Sequence, residues 1–379
     1  MTIRVCFVFA VFGLVVFSAG RAGAEPRFLS KQYNRCSSCH YSASGGGLLT
    51  PYGRALSGQE LATTRHVNAQ PAPEGNVSGE DAFLFGALGD HLGPVQLGVS
   101  LLPSHLHFAS GSFSDSRNLL MNADVEGAYR GHGWTAYGEA GRMPEIGSEG
   151  PRLYSREHWV SYESRRGVGI KVGRYMPAYG IHFADHTSLN RSDLGFDHDD
   201  QVYGVEVSRT TDQSLLQISV SPGRAESIVK DDGGTSFNTT GRLQVDLASN
   251  VVVVGSGLYR DESLLESRHG AAGGAVGFAP WRRVTIWTEG DAHIRAGGGG
   301  TSLVFVNETA VEAFRGVWFK VSPQGRTGTD LSPGAFRWNL GAHVLPRAHV
   351  DLGLDFYFDK IEGSDKAFKT VLAQLHMYL

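Results

Sequence analysis

Hydrophobic and polar residues alternate one by one over long stretches of the chain after about residue 80. In segment 347–360, every second residue from Val350 to Phe358 is apolar, and the intervening row carries acidic residues such as Asp351 and Asp355. A repeat of two predicts β-strands, because successive side chains of a strand point to opposite faces.

Segment 283–296 repeats this arrangement, with Ile286 and Ile294 on one row and Glu289 and Asp291 on the other. The strands of soluble sandwiches are usually shorter than these segments. A long apolar row opposite an ionisable row is typical of a transmembrane barrel, with lipid outside and water or polar packing inside. The predicted fold class is therefore all-β, a transmembrane antiparallel β-barrel.

The alternation and the intervening turn residues predict about sixteen strands. Segment 80–90 has no clear assignment, so the count ranges from about 14 to 18. The predicted strands are 95–108, 118–130, 133–143, 153–165, 167–175, 200–210, 213–222, 236–249, 250–260, 268–279, 282–296, 302–315, 316–323, 333–345, 347–360 and 366–379.

Short turns alternate along the chain with longer loops. Ser249-Asn250, Arg315-Gly316 and Pro346-Arg347 are predicted short turns, while 109–117 and 176–199 are predicted loops. Outer-membrane barrels have short periplasmic turns and longer extracellular loops. An even number of strands then predicts the outer membrane of a Gram-negative bacterium, with both termini in the periplasm.

The first 24 residues predict a secretory signal peptide. Arg4 precedes an apolar run over residues 5–17, and Ala22-Gly23-Ala24 forms a cleavage site. Loss of this peptide leaves 32 basic and 38 acidic residues, a balance that argues against nucleic acid as a partner.

Cys36-Ser37-Ser38-Cys39-His40 follows the signal peptide and contains the only cysteines of the mature chain. The C-x-x-C-H pattern is the attachment signature of a c-type haem. Cys36 and Cys39 would bond covalently to the haem, and His40 would be the proximal iron ligand. A disulfide or a metal site is the alternative, although zinc would need further ligands.

The motif and the strand pattern together divide the chain into four predicted parts. These are a signal peptide (1–24), a monohaem cytochrome c segment (25–58), a linker (59–79) and an outer-membrane barrel (80–379).

The second axial ligand of the iron has several candidates. The chain has no methionine between His40 and Met121, and His66 is the only other histidine of the cytochrome segment and linker. The sequence also places His343, His349 and His376 on inward-facing rows near the short-turn side, with His343 opposite His349. His66 can equally be a solvated linker residue, and the other three can be ordinary polar residues of the lumen.

The loop 176–199 is a candidate metal site. It contains His182, Asp185, His186 and His198, and imidazole with carboxylate suits Fe(II) or Mn(II). The alternative is an acidic loop held by internal ion pairs with Arg191.

Two stretches resemble the N-terminus of the fused outer-membrane monohaem cytochrome–porins, whose best-known members are found in Fe(II)-oxidising bacteria. They are Arg27-Phe28, upstream of the motif, and Leu49-Thr50-Pro51-Tyr52-Gly53-Arg54, downstream of it. The resemblance implies one haem c held near or within the barrel. It implies electron transfer from an extracellular donor, such as Fe(II), to a periplasmic c-type cytochrome or other carrier.

The predicted function is therefore an outer-membrane electron conduit surrounded by outer-membrane lipid. The alternatives are a diffusion porin with a structural or regulatory haem segment, and a conduit that works in the outward direction.

Overall fold

The computed structural model describes residues 26–42, 47–64, 93–142, 153–183, 185, 187–197, 200–223, 236–262, 267–295, 300–329 and 333–378. The predicted signal peptide, most of the linker and segment 80–90 lie outside the described residues.

Seventeen strands in the described residues form one antiparallel sheet. They are β1 (Val95–Ser110), β2 (Phe113–Gly131), β3 (Trp134–Arg142), β4 (Leu153–Tyr154), β5 (His158–Glu163), β6 (Val168–Tyr175), β7 (Val202–Thr210), β8 (Ser214–Ser221), β9 (Ser236–Ala248), β10 (Val251–Glu262), β11 (Ser267–Trp281), β12 (Val284–Arg295), β13 (Thr301–Phe314), β14 (Val317–Arg326), β15 (Ala335–Arg347), β16 (Val350–Ile361) and β17 (Ala367–Tyr378).

The sheet closes into a barrel because β17 pairs with β1, where Ser100 lies opposite Tyr378. The short strands β4 and β5 both pair with β3 and share one position around the barrel. The barrel therefore has sixteen positions, and the predicted fold class and strand count are confirmed. Closure leaves no unpaired edge in the sheet that the described strands form.

The predicted alternation of side chains is also confirmed. On β16, Leu352 and Leu354 are 43 and 52% exposed on the outer surface, whereas Asp355 is 2% exposed inside. On β12, Glu289 and Asp291 are buried on the inner face, and Ile294 is exposed on the outer one. On these two strands the outer row is thus apolar and the inner row carries the acidic residues.

The predicted loop at 109–117 is wrong. β1 and β2 continue as a long hairpin in which Ser110 pairs with Phe113, and only Gly111-Ser112 forms the turn. Gly111 has φ +60°, which a glycine adopts without strain. The strand residues here are mostly polar, so they lack the apolar row on which the prediction relied.

Two ends of the barrel are distinguished by their connections. The short-turn end carries two-residue turns such as Arg282-Arg283, Arg315-Gly316 and Ala348-His349, and the long-loop end is the opposite one. The prediction of short turns at Ser249-Asn250 and Arg315-Gly316 is confirmed.

The N-terminal segment fills the short-turn end of the lumen. It consists of a 3₁₀ helix (Pro26–Lys31), α1 (Cys36–Cys39), α2 (Pro51–Leu56) and a π-helical turn (Ser57–Leu61). Its last described residues are bound to the end of strand β15 in the wall, since the Thr63 amide donates to the Leu345 carbonyl at 2.8 Å. We call residues 26–64 the plug.

The loop between β6 and β7 enters the lumen from the long-loop end. The Tyr179 hydroxyl donates to Asp291 at 2.8 Å, and the Ile181 amide donates to Glu289 at 2.8 Å. Its apolar residues, such as Phe196, share one buried cluster with the wall and with Leu29 of the plug. The main hydrophobic core therefore lies inside the barrel, between the two inserted segments.

None of the helices in the described ranges has the length and apolar composition needed to cross a membrane.

Candidate haem site

The two cysteines of the motif lie on a single helical turn. α1 spans Cys36 to Cys39, and its backbone closes where the His40 amide donates to the Cys36 carbonyl at 2.9 Å. Residues three apart in a helix lie on neighbouring parts of one face. Cys39 is buried and Cys36 is half-buried, so this face points into the plug rather than into solvent.

The imidazole of His40 is oriented by the plug backbone. Its Nδ1 lies 3.3 Å from the Gly47 carbonyl oxygen, and His40 forms an antiparallel bridge with Leu49. A histidine that binds a metal commonly donates its other ring N–H to a carbonyl, which fixes the tautomer. If Nδ1 donates to this carbonyl, Nε2 would be the atom through which His40 serves as the predicted iron ligand.

α2 supports α1 through a close backbone contact. Thr50 caps α2, accepting from the Gly53 amide, and its hydroxyl donates to the Ser38 carbonyl at 2.8 Å. A Cβ atom on Gly53 would overlap the carbonyl oxygen of Cys39. Only glycine allows this approach. The Thr-Pro-Tyr-Gly-Arg stretch of the sequence thus holds the cysteine turn in place.

The surroundings of Cys39 are apolar. Phe28, Leu56 and Leu61 of the plug pack with Trp318 and Leu345 of the wall around this cysteine. The Phe28 and Trp318 rings meet edge to face with their centroids 5.8 Å apart. An apolar environment of this kind suits a large macrocycle.

Three cations of the plug, spaced four residues apart, each pair with a carboxylate of a different strand. The pairs are Arg27 with Asp351 at 3.2 Å, Lys31 with Glu312 at 2.6 Å, and Arg35 with Asp246 at 2.8 Å. Sequence reasoning missed all three, because the partners are more than 200 residues apart and no local pattern marks them.

Tyr33 links two parts of the plug. Its hydroxyl donates to Glu60 at 2.7 Å. Burial, with this hydrogen bond, raises the pKa of Tyr33 above its ordinary value, so the phenol stays neutral. The neutral Tyr33 hydroxyl can therefore donate to Glu60, and this hydrogen bond connects the segment before α1 to the π-helical turn.

The structure places the candidates for the second axial ligand in different surroundings. His66 lies outside the described residues. The prediction that His343 faces His349 is wrong, because His343 pairs with Gly353 and its ring lies 3.4 Å from Asp351 and 3.3 Å from Asp355.

His349 lies in the turn between β15 and β16, not in a strand. Its φ is +65°, and the residues flanking the turn are Arg347 and Val350. The structure thus places this turn two residues later than the predicted Pro346-Arg347. A two-residue hairpin turn needs residues with a positive φ, and histidine is not one of the residue types that mark such a position in a sequence. His376 accepts or donates a 3.0 Å hydrogen bond with Ser100.

The loop candidates are only partly described. His182 is half-buried, and its Nε2 atom is buried with no hydrogen-bond partner among the described residues. Burial and the nearby guanidinium groups of Arg191 and Arg242 hold the pKa of His182 well below its ordinary value, so its ring is neutral.

Asp185 contacts its own loop and the wall. It accepts from the Thr187 amide at 2.9 Å and lies 3.4 Å from Asn339 of the wall. His186 and His198 lie outside the described residues. Across the described ranges, no three or more His, Cys, Asp or Glu side chains form a group that could hold a metal ion. The loop metal site stays a prediction.

In the described residues of this loop, the ion pair is made with the barrel wall rather than with Arg191. Asp193 pairs with Arg326 of the wall at 2.7 Å. Arg191 instead donates to the backbone carbonyls of Phe183, at 2.6 Å, and Phe196, at 3.0 Å. These contacts fix the loop inside the lumen.

The residues of the plug fit a covalently bound haem. The thiols share one helical face, the imidazole is oriented by a carbonyl, and an apolar cluster surrounds Cys39. A c-type haem requires two thiols for its covalent attachment and an imidazole as an iron ligand.

No family profile matches this chain, and no curated protein matches it either. Solved structures of outer-membrane channels do match its barrel. The chain is similar to Salmonella typhi OmpF in complex with daunomycin, with a TM-score of 0.57 and 9% identity, over 75% of this chain and 97% of that one.

It is likewise similar to the anion-selective porin of Comamonas acidovorans, with a TM-score of 0.55 and 10% identity over 75% of this chain and 99% of the porin. The channel DcaP of Acinetobacter baumannii gives 0.55 and 11% over 75% and 97%. The chain therefore has a porin-like barrel fold.

Proposed function

We propose that this protein is an outer-membrane electron conduit. It would pass electrons between an extracellular donor, such as Fe(II), and a periplasmic c-type cytochrome or other carrier. The observation that carries the proposal is the position of the Cys36–His40 turn, which the plug holds inside the short-turn end of a porin-like barrel.

The barrel exterior supports a membrane location. Trp134, Tyr162, Trp281 and Phe314 lie near the short turns and are 51, 39, 70 and 72% exposed. Aromatic girdles of this kind flank the apolar band of outer-membrane barrels. With the short turns in the periplasm, the plug and both chain ends would face that compartment.

A c-type haem would supply a one-electron Fe(III)/Fe(II) couple at this position. Cys36 and Cys39 would hold it covalently, and His40 would bind the iron through Nε2. The Gly47 carbonyl would hold the His40 ring in the orientation that iron binding needs. His66 remains the proposed second axial ligand.

The wall and the inserted loop would confine this chemistry to the lumen. Trp318 and Leu345 exclude water beside Cys39, and the loop residues Phe183 and Phe196 are buried at the other side of the core. Apolar packing around the cysteine turn would lower the solvent exposure of a redox centre, which is one of the properties that set its potential.

A diffusion porin with a structural haem segment is the second candidate. The porin-like fold favours it, because the matched structures include membrane channels. A porin would conduct ions with or without its haem. A conduit running outward, to an external acceptor, would share the same site and differ only in its redox partners.

The first test is the absorbance of purified protein as its pyridine haemochrome. We expect a c-type signal in the wild type and its loss in Cys36→Ala and in Cys39→Ala, with all three proteins retaining heat-modifiable migration as folded barrels. A wild-type protein that lacks the signal, after expression with a haem c maturation system, would contradict the proposal.

A further inference from the structure

The short-turn end of the barrel has an unusual balance of charge. Its seven hairpin turns, counted with one flanking strand residue on each side, carry two acidic residues, Glu163 and Asp212. They carry six arginines, which we call the arginine rim: Arg165, Arg166, Arg282, Arg283, Arg315 and Arg347. The complete chain, in contrast, has a net charge of −4.

The rim is open to solvent. Arg165 and Arg166 are exposed on the β5–β6 turn, and Arg282 and Arg283 are exposed on the β11–β12 turn. These two turns lie six positions apart around a barrel of sixteen, so the positive charge extends far around the opening and does not form a single patch.

The rim contacts the plug that carries the cysteine motif. Arg315 donates to the Gln59 carbonyl of the plug at 2.7 Å. The nearby Arg130 guanidinium lies 4.8 Å from the ring centroid of Tyr41, the residue after His40. The cations therefore frame the face from which the candidate haem site is reached.

The geometry favours a protein over lipid as the ligand of this rim. The exposed aromatic residues Trp281 and Phe314 end their strands immediately before Arg282 and Arg315. The membrane boundary lies at such aromatic residues, so the arginines that follow them extend to the aqueous side. Arg315 also turns toward the plug rather than toward the outer wall.

We infer that the arginine rim docks an acidic protein, the soluble carrier that exchanges electrons with the plug. This inference rests on the proposed function. Opposite charge around a redox face raises the rate of encounter and orients the partner, and the effect weakens with salt. The Asp212 and Glu163 side chains would reduce the attraction only locally.

The test uses full-length protein in detergent and a fluorescein-labelled poly-L-glutamate peptide, with binding followed by fluorescence anisotropy. The rim variants are Arg282→Glu/Arg283→Glu and Arg165→Glu/Arg166→Glu. The control, Arg117→Glu/Arg268→Glu, makes the same charge change at the long-loop end, where both side chains are 66% exposed.

We expect each rim variant to bind about tenfold more weakly, while the control stays within about twofold of the wild type. Wild-type affinity should fall as salt is added, because exposed charges are screened. Equal weakening in the control, or unchanged binding in both rim variants, would overturn the inference.

Binding of the same variants to phosphatidylglycerol vesicles is measured in parallel, which distinguishes a lipid ligand of the rim from a protein ligand. Rim variants that lose vesicle binding but keep full affinity for poly-L-glutamate would also overturn the inference. Haem content is measured on the same samples, and peptide binding does not require haem. A wild type without covalent haem would therefore contradict the proposed function while the rim result stands.

Discussion

The Arg35 guanidinium lies 2.8 Å from the Asp246 carboxylate, and the two side chains are only 7 and 1% exposed. This pair joins the residue before Cys36 to strand β9. Arg35 also donates to the Thr211 carbonyl of a short turn at 2.8 Å. One buried arginine thus fixes the start of the cysteine turn to the barrel wall.

Removing either partner of this pair should release the plug. Arg35→Ala leaves the Asp246 charge buried, and breaking a buried pair in this way costs about 3–5 kcal/mol. We expect the N-terminal segment of the variant to become sensitive to native-state proteolysis while the barrel remains folded.

The control for this experiment is Arg117→Ala. Arg117 pairs with Asp115 on the surface, where the side chains are 66 and 38% exposed, and such pairs contribute about 0–1 kcal/mol. Equal protection of the plug in Arg35→Ala and Arg117→Ala would show that the buried pair does not hold it.

Gly53→Ala should disturb the cysteine turn directly. The added methyl group would overlap the Cys39 carbonyl, and overpacking of this kind costs about 1–3 kcal/mol. We expect a reduced yield of covalent haem, measured by haem staining relative to total protein. Gly241→Ala is the matched control, because a Cβ there meets no atom within 4 Å.

The strands were predictable because lipid imposes a pattern on them. Residues such as Leu354 and Ile294 must be apolar on the outside, while Asp355 and Glu289 face the lumen, and this alternation is visible without any structure. The end of the hairpin around Gly111 lacks such a row, so its sequence predicts a loop where the strands continue.

The interior could not be predicted in the same way. Arg35 and Asp246 are separated by 211 residues, and neither carries a local signal of its partner. The motif itself indicated Cys36 and His40, but not the Gly47 carbonyl that orients the ring. Contacts between the plug and the wall depend on closure of the whole barrel.

Release of the inserted loop should open the lumen. Glu289 accepts from the Ile181 amide at 2.8 Å and from the Asn190 side chain at 2.9 Å. Glu289→Ala leaves both buried donors without this acceptor, which destabilises the loop. We expect higher single-channel conductance in planar bilayers.

Glu206→Ala provides the comparison for this measurement. Glu206 is a lumen carboxylate that pairs with Lys171 at 3.0 Å. Its replacement by alanine likewise removes one buried carboxyl group from the lumen. An equal rise in conductance in both variants would attribute the effect to lumen charge rather than to the loop.

The predicted metal site of the loop can be tested by equilibrium dialysis with Mn(II). We expect His186→Ala/His198→Ala to lose binding that the wild type shows, because imidazole is a preferred ligand of such cations. His105→Ala/His107→Ala, which removes an exposed and a half-buried histidine of β1, should bind as the wild type does. Retained binding in the loop variant would exclude this site.

Electron transfer across a sealed vesicle tests the central claim most directly. The purified protein is inserted into liposomes that contain an oxidised cytochrome too large to pass the barrel, and Fe(II) is added outside. We predict that the wild type reduces the trapped cytochrome and that Cys36→Ala, inserted to the same level, does not. Equal reduction through Cys36→Ala would identify a diffusion pore for Fe(II), and absence of reduction through the haem-loaded wild type would contradict inward conduction from Fe(II).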